Sequence, residues 1–417
     1  MGLGKNIAVM GLGTIIAQSI NVLVQPVLTR IIPASELGIY SFIVSIASII
    51  IPIASLKIDL LVVSEKDEEK AQYITDVCII VNFALSLISL LVIALCNVIL
   101  PNCVLFQYGA IIYFVPFLIL TNGLRFLFIG YNNRYKEYKL ISKLGVIREV
   151  ASAGMQVIAG LVGAGACGLL VGYGAAPLMG YRLQLKRYFE KRKSRARITA
   201  DKIKEVLLVD GRKQILFIVP SQFVNSFSSS LITISITALF TAEALGYYSI
   251  GTRVLEIPII FISANVSKVC FQRICEDIRE ERPVSRTLFK VTLVLAACSA
   301  VAFGVIYWIA PPVCEVVFGE GYSTAGVYIQ CLCLMYATRL VSSSFAGLFT
   351  AFNKQGIELL LNILLVVFSA AAFIVAVSFS LPIESFLSVV GTGYMVVYVI
   401  LLISVFSCAR AFDKTLA

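Results

Sequence analysis

Five arginines interrupt segments that are otherwise apolar, and they carry the most informative chemistry in this chain. They are Arg30, Arg125, Arg148, Arg253 and Arg339. A guanidinium keeps its proton and offers paired, charge-assisted hydrogen bonds to the oxygens of a phosphate. A charge inside the hydrocarbon of a membrane is costly, so such residues usually face an aqueous cavity or the interior of a helical bundle. The five arginines therefore predict a site for an anionic ligand.

Two of these arginines have a simpler explanation of equal or greater weight. Arg30 falls near the outer end of its predicted span, where its side chain could extend to the lipid headgroups instead of lining a cavity. Arg148 is followed by Glu149 and falls nearer the inner face, so we expect it to be paired with an acid or to reach the surface. We keep Arg30 among the candidate cavity residues and leave Arg148 out.

The other three arginines differ in the acids near them. Arg253 has Glu256 three positions later on the same helical face, so an internal ion pair and a ligand site fit it equally well. Arg125 and Arg339 have no acidic residue within one helical turn in the sequence. We therefore predict that Arg125, Arg339 and Arg253 bind substrate, and that the first two hold its charged group.

Uncharged polar residues accompany the arginines at helical spacing on two predicted spans, the first and the seventh. They are Gln18, Asn21 and Gln25, and then Gln222, Asn225 and Ser229. Because amides can donate and accept hydrogen bonds with a polar ligand, we place Gln18, Asn21, Gln222 and Asn225 in the same cavity as the arginines. The alternative is that these residues hydrogen-bond between helices for stability alone.

Coupling to an ion gradient would need carboxylates at depth, and Asp59 and Glu256 are the candidates. A carboxylate beside an arginine stays ionised, whereas an unpaired buried one has a raised pKa and could carry a proton. The sequence has no His, no Gly-rich phosphate loop, and no grouping of its eleven Cys at metal-ligand spacing. We therefore expect no metal, no cofactor, no ATP hydrolysis and no catalytic residue.

Apolar helices are the elements that must position these residues. Hydrophobic residues make up 59% of the 417 positions and charged residues 14%, with a mean hydropathy of +0.93, which excludes a soluble globule. The net charge of +10 does not indicate nucleic-acid binding, because basic cytoplasmic loops account for it. The sequence predicts an all-α polytopic membrane protein with twelve transmembrane helices: 7–29, 37–57, 74–99, 107–130, 145–165, 167–186, 214–241, 246–268, 288–309, 324–350, 357–380 and 384–408.

The distribution of basic residues predicts the orientation of the chain. With a cytoplasmic N-terminus, the lysines fall on the inner side and no outer loop holds a Lys. We therefore expect both termini to be cytoplasmic.

The chain repeats itself at half its length. Residues 34–41 (ASELGIYS) reappear as residues 242–249 (AEALGYYS), an offset of 208, and Pro52 has a counterpart in Pro258. These matches predict two pseudo-symmetric six-helix halves around a central cavity. We place the N-terminal half at 1–190, a basic cytoplasmic linker at 191–213 and the C-terminal half at 214–417.

The segment LTRIIP at 28–33, followed by ELGIYS at 36–41, resembles the Wzx-type polysaccharide or O-antigen flippase family of the multidrug, oligosaccharidyl-lipid and polysaccharide exporter superfamily. The twelve predicted spans and the basic central loop are similar to that family as well. The resemblance implies alternating-access translocation of an undecaprenyl-diphosphate-linked oligosaccharide from the inner to the outer leaflet of the bacterial cytoplasmic membrane, for lipopolysaccharide or capsule. Membrane lipid, and a polymerase or glycosyltransferase, are the implied partners besides the substrate.

Two other functions stay open. A drug and cation antiporter of the same superfamily should place carboxylates in its cavity, whereas here the excess charge within the spans is arginine. A polytopic membrane enzyme acting on lipid-linked sugars would need a large outer loop or an acidic catalytic cluster, but the predicted outer loops are short and their glutamates are scattered singly. The sequence therefore favours a flippase over an enzyme.

Overall fold

The computed structural model describes residues 3–191, 199–352 and 354–416, and within them the chain is helical with no β-strand. The helices group into two compact units, Met1–Ala238 and Leu239–Ala417. Part of the predicted linker at 191–213 lies outside the described residues. The predicted boundaries of the two halves therefore stay a prediction.

The first unit contains ten α-helices within its described residues. They are α1 (Leu3–Ile31), α2 (Ala34–Ile50), α3 (Asp59–Ser64), α4 (Glu68–Ile99), α5 (Phe114–Arg134), α6 (Tyr138–Leu161), α7 (Gly165–Ala175), α8 (Tyr181–Lys191), α9 (Ala200–Glu205) and α10 (Val219–Leu239).

The second unit contains seven α-helices within its described residues. They are α11 (Ala242–Pro258), α12 (Ala264–Arg279), α13 (Ser285–Phe318), α14 (Ser323–Ser343), α15 (Leu348–Ala351), α16 (Gln355–Phe379) and α17 (Ile383–Leu416). Across the described part of both units, eleven helical segments are long and apolar enough to cross a membrane. These segments correspond to eleven of the twelve predicted spans, and the all-α polytopic class is confirmed.

The sixth predicted span, 167–186, is wrong as a continuous helix. The α7 helix ends at Ala175, a 3₁₀ turn covers Ala176–Leu178, and α8 begins at Tyr181. Pro177 supplies no backbone N–H, which disfavours continuation of an α-helix. Gly180 then adopts a φ of +78°, and a Cβ there would lie 2.3 Å from Leu144 Cδ2. The break therefore depends on a proline followed by a glycine that no other residue could replace without strain.

The internal repeat is visible in the helix boundaries. Helices α2 and α11 each contain 17 residues and begin 208 positions apart, which is the offset of the sequence repeat. The preceding helices, α1 and α10, also end 208 positions apart. Both 17-residue helices end in a deviation from α geometry, a 3₁₀ turn at Ile51–Ile53 after α2 and a π segment at Ile259–Ser263 after α11.

Glu36, in the repeated motif, joins α2 to α7. Its Oε2 accepts a hydrogen bond from the backbone N–H of Ala166 at 2.7 Å, which satisfies a donor in the first turn of α7. At the repeat offset of 208, Glu36 matches Ala244 in the second unit. The glutamate of the second copy, Glu243, matches Ser35 and accepts a hydrogen bond from the Tyr247 hydroxyl at 2.7 Å. The motif therefore serves helix placement in the first unit, and its two copies have diverged.

Two glycines let α1 and α6 pack closely. A Cβ on Gly13 would lie 1.8 Å from Ser142 Oγ, and a Cβ on Gly160 would lie 2.7 Å from Ile31 Cδ1. At both distances a Cβ would force the neighbouring side chain to move, so the two glycines let α1 and α6 approach closely near both ends of their contact. This contact brings the polar residues in the middle of α1 against the middle of α6.

Candidate functional site

An arginine cluster lies in the first unit where α1, α5 and α6 meet. Arg125 Nη2 lies 3.7 Å from Glu149 Oε1, and Asn21 Nδ2 donates to Glu149 Oε2 at 3.4 Å. The Nε of Arg125 is buried and has no hydrogen-bond partner among the described residues. Sequence spacing did not predict this acid for Arg125, because Glu149 comes from another helix. We use the name arginine cluster for Asn21, Arg125, Arg148 and Glu149.

Arg148 is almost wholly buried, with 2% of its surface exposed. Its Nε donates to the Met179 carbonyl at 3.3 Å, its Nη2 donates to Gln184 Oε1, and its guanidinium lies 5.9 Å from the centre of the Tyr181 ring. No carboxylate within the described residues forms an ion pair with it. The expectation that Arg148 would pair with an acid or reach the surface is therefore wrong. The break after α7 and the return of α8 cover this side chain with neutral acceptors.

The arginine cluster carries more positive than negative charge. Its two guanidiniums are opposed by the single carboxylate of Glu149, which leaves one uncompensated positive charge, and the charge of Arg125 acts unfavourably on Arg148. Neutral acceptors satisfy hydrogen bonds but do not cancel charge, so a buried cation in this setting is costly until an anion approaches. Arg148 is the eleventh of the 24 residues of α6, near the middle of its span, and Arg125 lies within the span Gly109–Arg134, nine residues before its end.

The second unit holds a separate arginine and glutamate pair. Arg339 Nη1 of α14 lies 3.7 Å from Glu256 Oε1 of α11, and the Arg339 guanidinium lies 5.3 Å from the centre of the Tyr336 ring. The pair is open, because 30% of the Arg339 side chain and 44% of the Glu256 side chain remain exposed. Arg253, one turn before Glu256, is half-buried.

Arg125 and Arg339 occupy corresponding helices but different positions in them. Helices α5 and α14 both contain 21 residues and begin 209 positions apart. At that offset Arg125 matches Leu334, and Arg339 matches Gly130. The repeat therefore brings the two helices into correspondence but not the two arginines.

The remaining predicted polar residues lie outside these two groups. Gln18 is half-buried one turn before Asn21 on α1, and Arg30 is exposed at the end of that helix. On α10, the Gln222 amide donates to Ser226 Oγ at 3.4 Å and Asn225 is exposed. Of the predicted substrate-binding residues, the described contacts join Asn21 to the same carboxylate as Arg125.

Asp59 stands apart from the arginines, at the start of the short helix α3. Its side chain is half-buried. Burial raises the pKa of its carboxyl above the ordinary value, while the charge of Lys57 opposes the increase. A role for Asp59 or Glu256 in ion coupling stays a prediction.

Comparison of the sequence with known protein families gives a match. The family described as polysaccharide biosynthesis protein matches residues 27–326, more than two thirds of the chain. No curated protein matches the sequence.

Solved structures with the same fold are membrane transporters. The lipid II flippase MurJ in an inward closed conformation is 12% identical with a TM-score of 0.74, over 98% of this chain and 90% of that one. An inward-facing multidrug resistance MATE family transporter of the MOP superfamily is 15% identical with a TM-score of 0.68, over 96% of each chain. A MOP superfamily transporter from Pyrococcus furiosus, whose structure is described as having a binding pocket of reverse polarity, is 14% identical with a TM-score of 0.63, over 99% of this chain and 96% of that one.

Proposed function

The chain belongs to the polysaccharide biosynthesis protein family, and from that premise we propose that it flips an undecaprenyl-diphosphate-linked oligosaccharide. In this proposal the lipid-linked sugar moves from the inner to the outer leaflet of a bacterial cytoplasmic membrane by alternating access. The likeness of the fold to a lipid II flippase and to MATE family transporters supports a transporter of a lipid-linked or amphipathic cargo.

The observation that carries the proposal is the arginine cluster. Arg125 and Arg148 are two guanidiniums within membrane-spanning segments whose charges act on each other, and Glu149 is paired with only one of them. A diphosphate carries the charge and the acceptor oxygens that such a site lacks, and two oxygens of one phosphate can accept from the two N–H groups of a guanidinium fork. A neutral sugar alone would leave the excess charge unopposed.

Glu149 and Glu256 then act as exchangeable counter-ions. Each carboxylate lies 3.7 Å from its arginine, beyond the distance of a direct hydrogen bond. A diphosphate that binds Arg125 or Arg339 would displace the carboxylate, and release of the diphosphate would restore the ion pair. This exchange lowers the cost of an empty site and prevents the arginines from retaining the cargo.

A drug and cation antiporter is the second candidate, and one observation favours it. Glu256 is 44% exposed beside Arg339, and an exposed carboxylate in a span can attract a cation. In the first unit, however, the carboxylate is outnumbered by guanidiniums. The two candidates differ in the sign of the cargo, so one assay with an anionic and a cationic substrate distinguishes them.

The test uses the purified full chain in lipid vesicles. The anionic probe is a polyprenyl-diphosphate disaccharide with a nitrobenzoxadiazole label on the sugar, and dithionite bleaches only the label in the outer leaflet. We expect the fraction of protected label to fall to zero in vesicles that contain the protein, at a rate that is faster than in protein-free vesicles. Ethidium uptake in the same vesicles measures the cationic alternative.

The matched variants are Arg125→Gln in the arginine cluster and Lys143→Gln, which removes an exposed charge from α6. We expect Arg125→Gln to slow flipping of the labelled lipid by at least about tenfold, the order of effect of removing one buried charged hydrogen-bonding group. Lys143→Gln should flip at the wild-type rate. Equal flipping rates for wild type and Arg125→Gln would contradict the proposed function. So would transport of ethidium without transport of the labelled lipid.

A further inference from the structure

An apolar groove lies in the second unit between α12 and α13, and neither Arg339 nor Glu256 lines it. Its volume is 340 Å³, and a neighbouring space of 240 Å³ continues it. The residues that line the two spaces are Val266, Val269, Cys270, Arg273, Thr287, Lys290, Val291, Val294 and Leu295. Val266 and Val291 border both spaces, so the two form one continuous groove.

Helical spacing on both sides makes the groove a built feature of the pair of helices. Val266, Cys270 and Arg273 follow one another at single-turn intervals along α12, and Thr287, Val291 and Leu295 do the same along α13. Cys270 and Leu295 are buried at its base. The walls are open, since Val269 is 71% exposed and Val294 is 63% exposed.

Basic side chains stand at the border of the groove, one on each helix. Arg273 lines it from α12 with 54% of its side chain exposed, and its Nε lies 3.4 Å from Asp277 Oδ1, which holds the guanidinium in place. Lys290 lines it from α13 and is exposed. An apolar channel between two cations matches a molecule with a hydrocarbon chain and an anionic head.

The position of the groove along the helices suits such a molecule. Helix α13 is one of the candidate membrane spans, and the groove occupies its first three turns. It therefore lies at the edge of the hydrocarbon, where headgroups and the first methylenes of a lipid are found. The sequence predicts that this edge faces the cytoplasm, the side on which anionic lipid attracts basic residues near the membrane.

We propose that this groove binds an anionic glycerophospholipid. One acyl chain lies along the valines between α12 and α13, and the phosphate contacts Arg273 and Lys290. The proposal does not depend on the transport function, because none of the groove residues belongs to the arginine cluster or to the Arg339 pair. Phospholipid fits better than a water-soluble ligand because the walls of the groove are open and apolar.

The first test measures lipid retention by native mass spectrometry of the full-length protein. Protein is released from nanodiscs that contain phosphatidylglycerol and phosphatidylcholine in equal amounts. We expect the wild type to retain one phosphatidylglycerol in preference to phosphatidylcholine. The double variant Arg273→Gln with Lys290→Gln should lose this preference by roughly 10- to 30-fold, the combined effect of two basic residues near a membrane surface.

The matched charge control is Arg279→Gln with Arg286→Gln, which also removes one exposed charge from each helix but leaves the groove lining intact. It should retain phosphatidylglycerol as the wild type does. An equal loss of phosphatidylglycerol preference in both double variants would show that only the net charge of the segment matters, which would overturn the headgroup site. Unchanged retention in Arg273→Gln with Lys290→Gln would overturn it as well.

The second test fills the channel. Val294→Trp adds an indole in the groove, and Val301→Trp adds one on the same helix at a similarly exposed residue, 69% against 63%, that does not line the groove. We expect only Val294→Trp to release the lipid, with no change in thermal unfolding beyond that of Val301→Trp. Retention by Val294→Trp, or retention of a polyprenyl lipid in place of phosphatidylglycerol by the wild type, would overturn the assignment of the occupant.

Discussion

Arg339 Nη1 lies 3.7 Å from Glu256 Oε1, in an ion pair that joins the tenth predicted span to the eighth. The two residues are 83 positions apart in the chain, and their side chains remain partly exposed. An ion pair that is both long and open holds its partners weakly. Arg339 is therefore available to an anion that can offer better geometry than the single carboxylate.

We predict that Arg339→Gln reduces flipping of the labelled lipid at least about tenfold, because glutamine keeps a hydrogen-bond donor and loses the charge and the fork. Arg339→Lys should restore part of the rate, since it returns the charge alone. The measurement is the dithionite assay at equal protein content. Wild-type flipping by Arg339→Gln would move the phosphate-binding role away from this residue.

Arg148→Gln should impair flipping as strongly as Arg125→Gln does. Its guanidinium is the uncompensated charge of the arginine cluster, so its loss leaves Arg125 neutralised by Glu149. The experiment compares initial flipping rates and melting temperatures of both variants. A large fall in melting temperature with normal flipping at low temperature would identify Arg148 as a structural residue instead.

Glu149→Gln should bind the diphosphate more tightly than the wild type and turn over more slowly. The change removes the competing carboxylate from Arg125 while the amide can still accept from Asn21. Binding of the labelled lipid should strengthen by about tenfold, because the diphosphate no longer has to displace a carboxylate from Arg125. Tenfold is the order of effect expected for one charged interaction. Fluorescence anisotropy in detergent gives the affinity. Weaker binding would show that Glu149 contacts the cargo directly.

Asp413 should contribute to folding of the second unit and not to transport. Its Oδ1 accepts from the Val284 N–H at 2.8 Å and its Oδ2 from the Ser285 N–H at 3.1 Å, so α17 caps the start of α13. Asp413→Ala should lower the free energy of unfolding by about 0.5–2 kcal/mol, as for other lost helix caps. Lys414→Ala, at the exposed neighbouring residue, is the control and should leave thermal unfolding unchanged.

Asp59→Asn should stabilise the protein at neutral pH. Burial raises the pKa of the Asp59 carboxyl, so the folded chain holds this proton more tightly than the unfolded chain. The associated stability is present below the ordinary pKa of about 3.9 and is lost as pH rises through the folded value.

The melting temperature of Asp59→Asn should therefore exceed that of the wild type near about pH 7, and the difference should shrink toward about pH 4. Flipping driven by a pH gradient is measured in parallel. If the variant responds to the gradient as the wild type does, Asp59 is not a proton carrier.

The apolar runs were sufficient to predict eleven spans because a helix in lipid must be long and hydrophobic. The sixth failed as a continuous helix, and it is also more polar, with Arg182, Gln184 and Lys186 near its end. There the outcome depended on Pro177 and on a glycine, Gly180, that packs against Leu144. Gly180 and Leu144 are 36 positions apart, so their contact cannot be predicted from the composition of the span.

The arginines were identifiable from sequence, but their partners were not. Glu149 is adjacent to Arg148 and pairs with Arg125, because neighbouring residues in an α-helix point about 100° apart and cannot face one another. This helical geometry already argues, from the sequence alone, against an ion pair between Arg148 and Glu149. The partners of Arg148 itself, Met179 and Gln184, follow the break after α7, which the sequence analysis had placed inside one continuous span.

The chain deviates from α geometry in opposite ways after α2 and α11, with a 3₁₀ turn after the first and a π segment after the second. A 3₁₀ turn advances about 20° more per residue than an α-helix, whereas a π segment advances less. After Ile53 the chain leaves helical geometry, with Leu56 and Lys57 at positive φ before α3 begins at Asp59, whereas after Ser263 it continues directly into α12. Matching residues beyond these segments therefore stand in different backbone settings in the two copies of the duplication. Moving a side chain from one copy to the matching position of the other should not transfer its role.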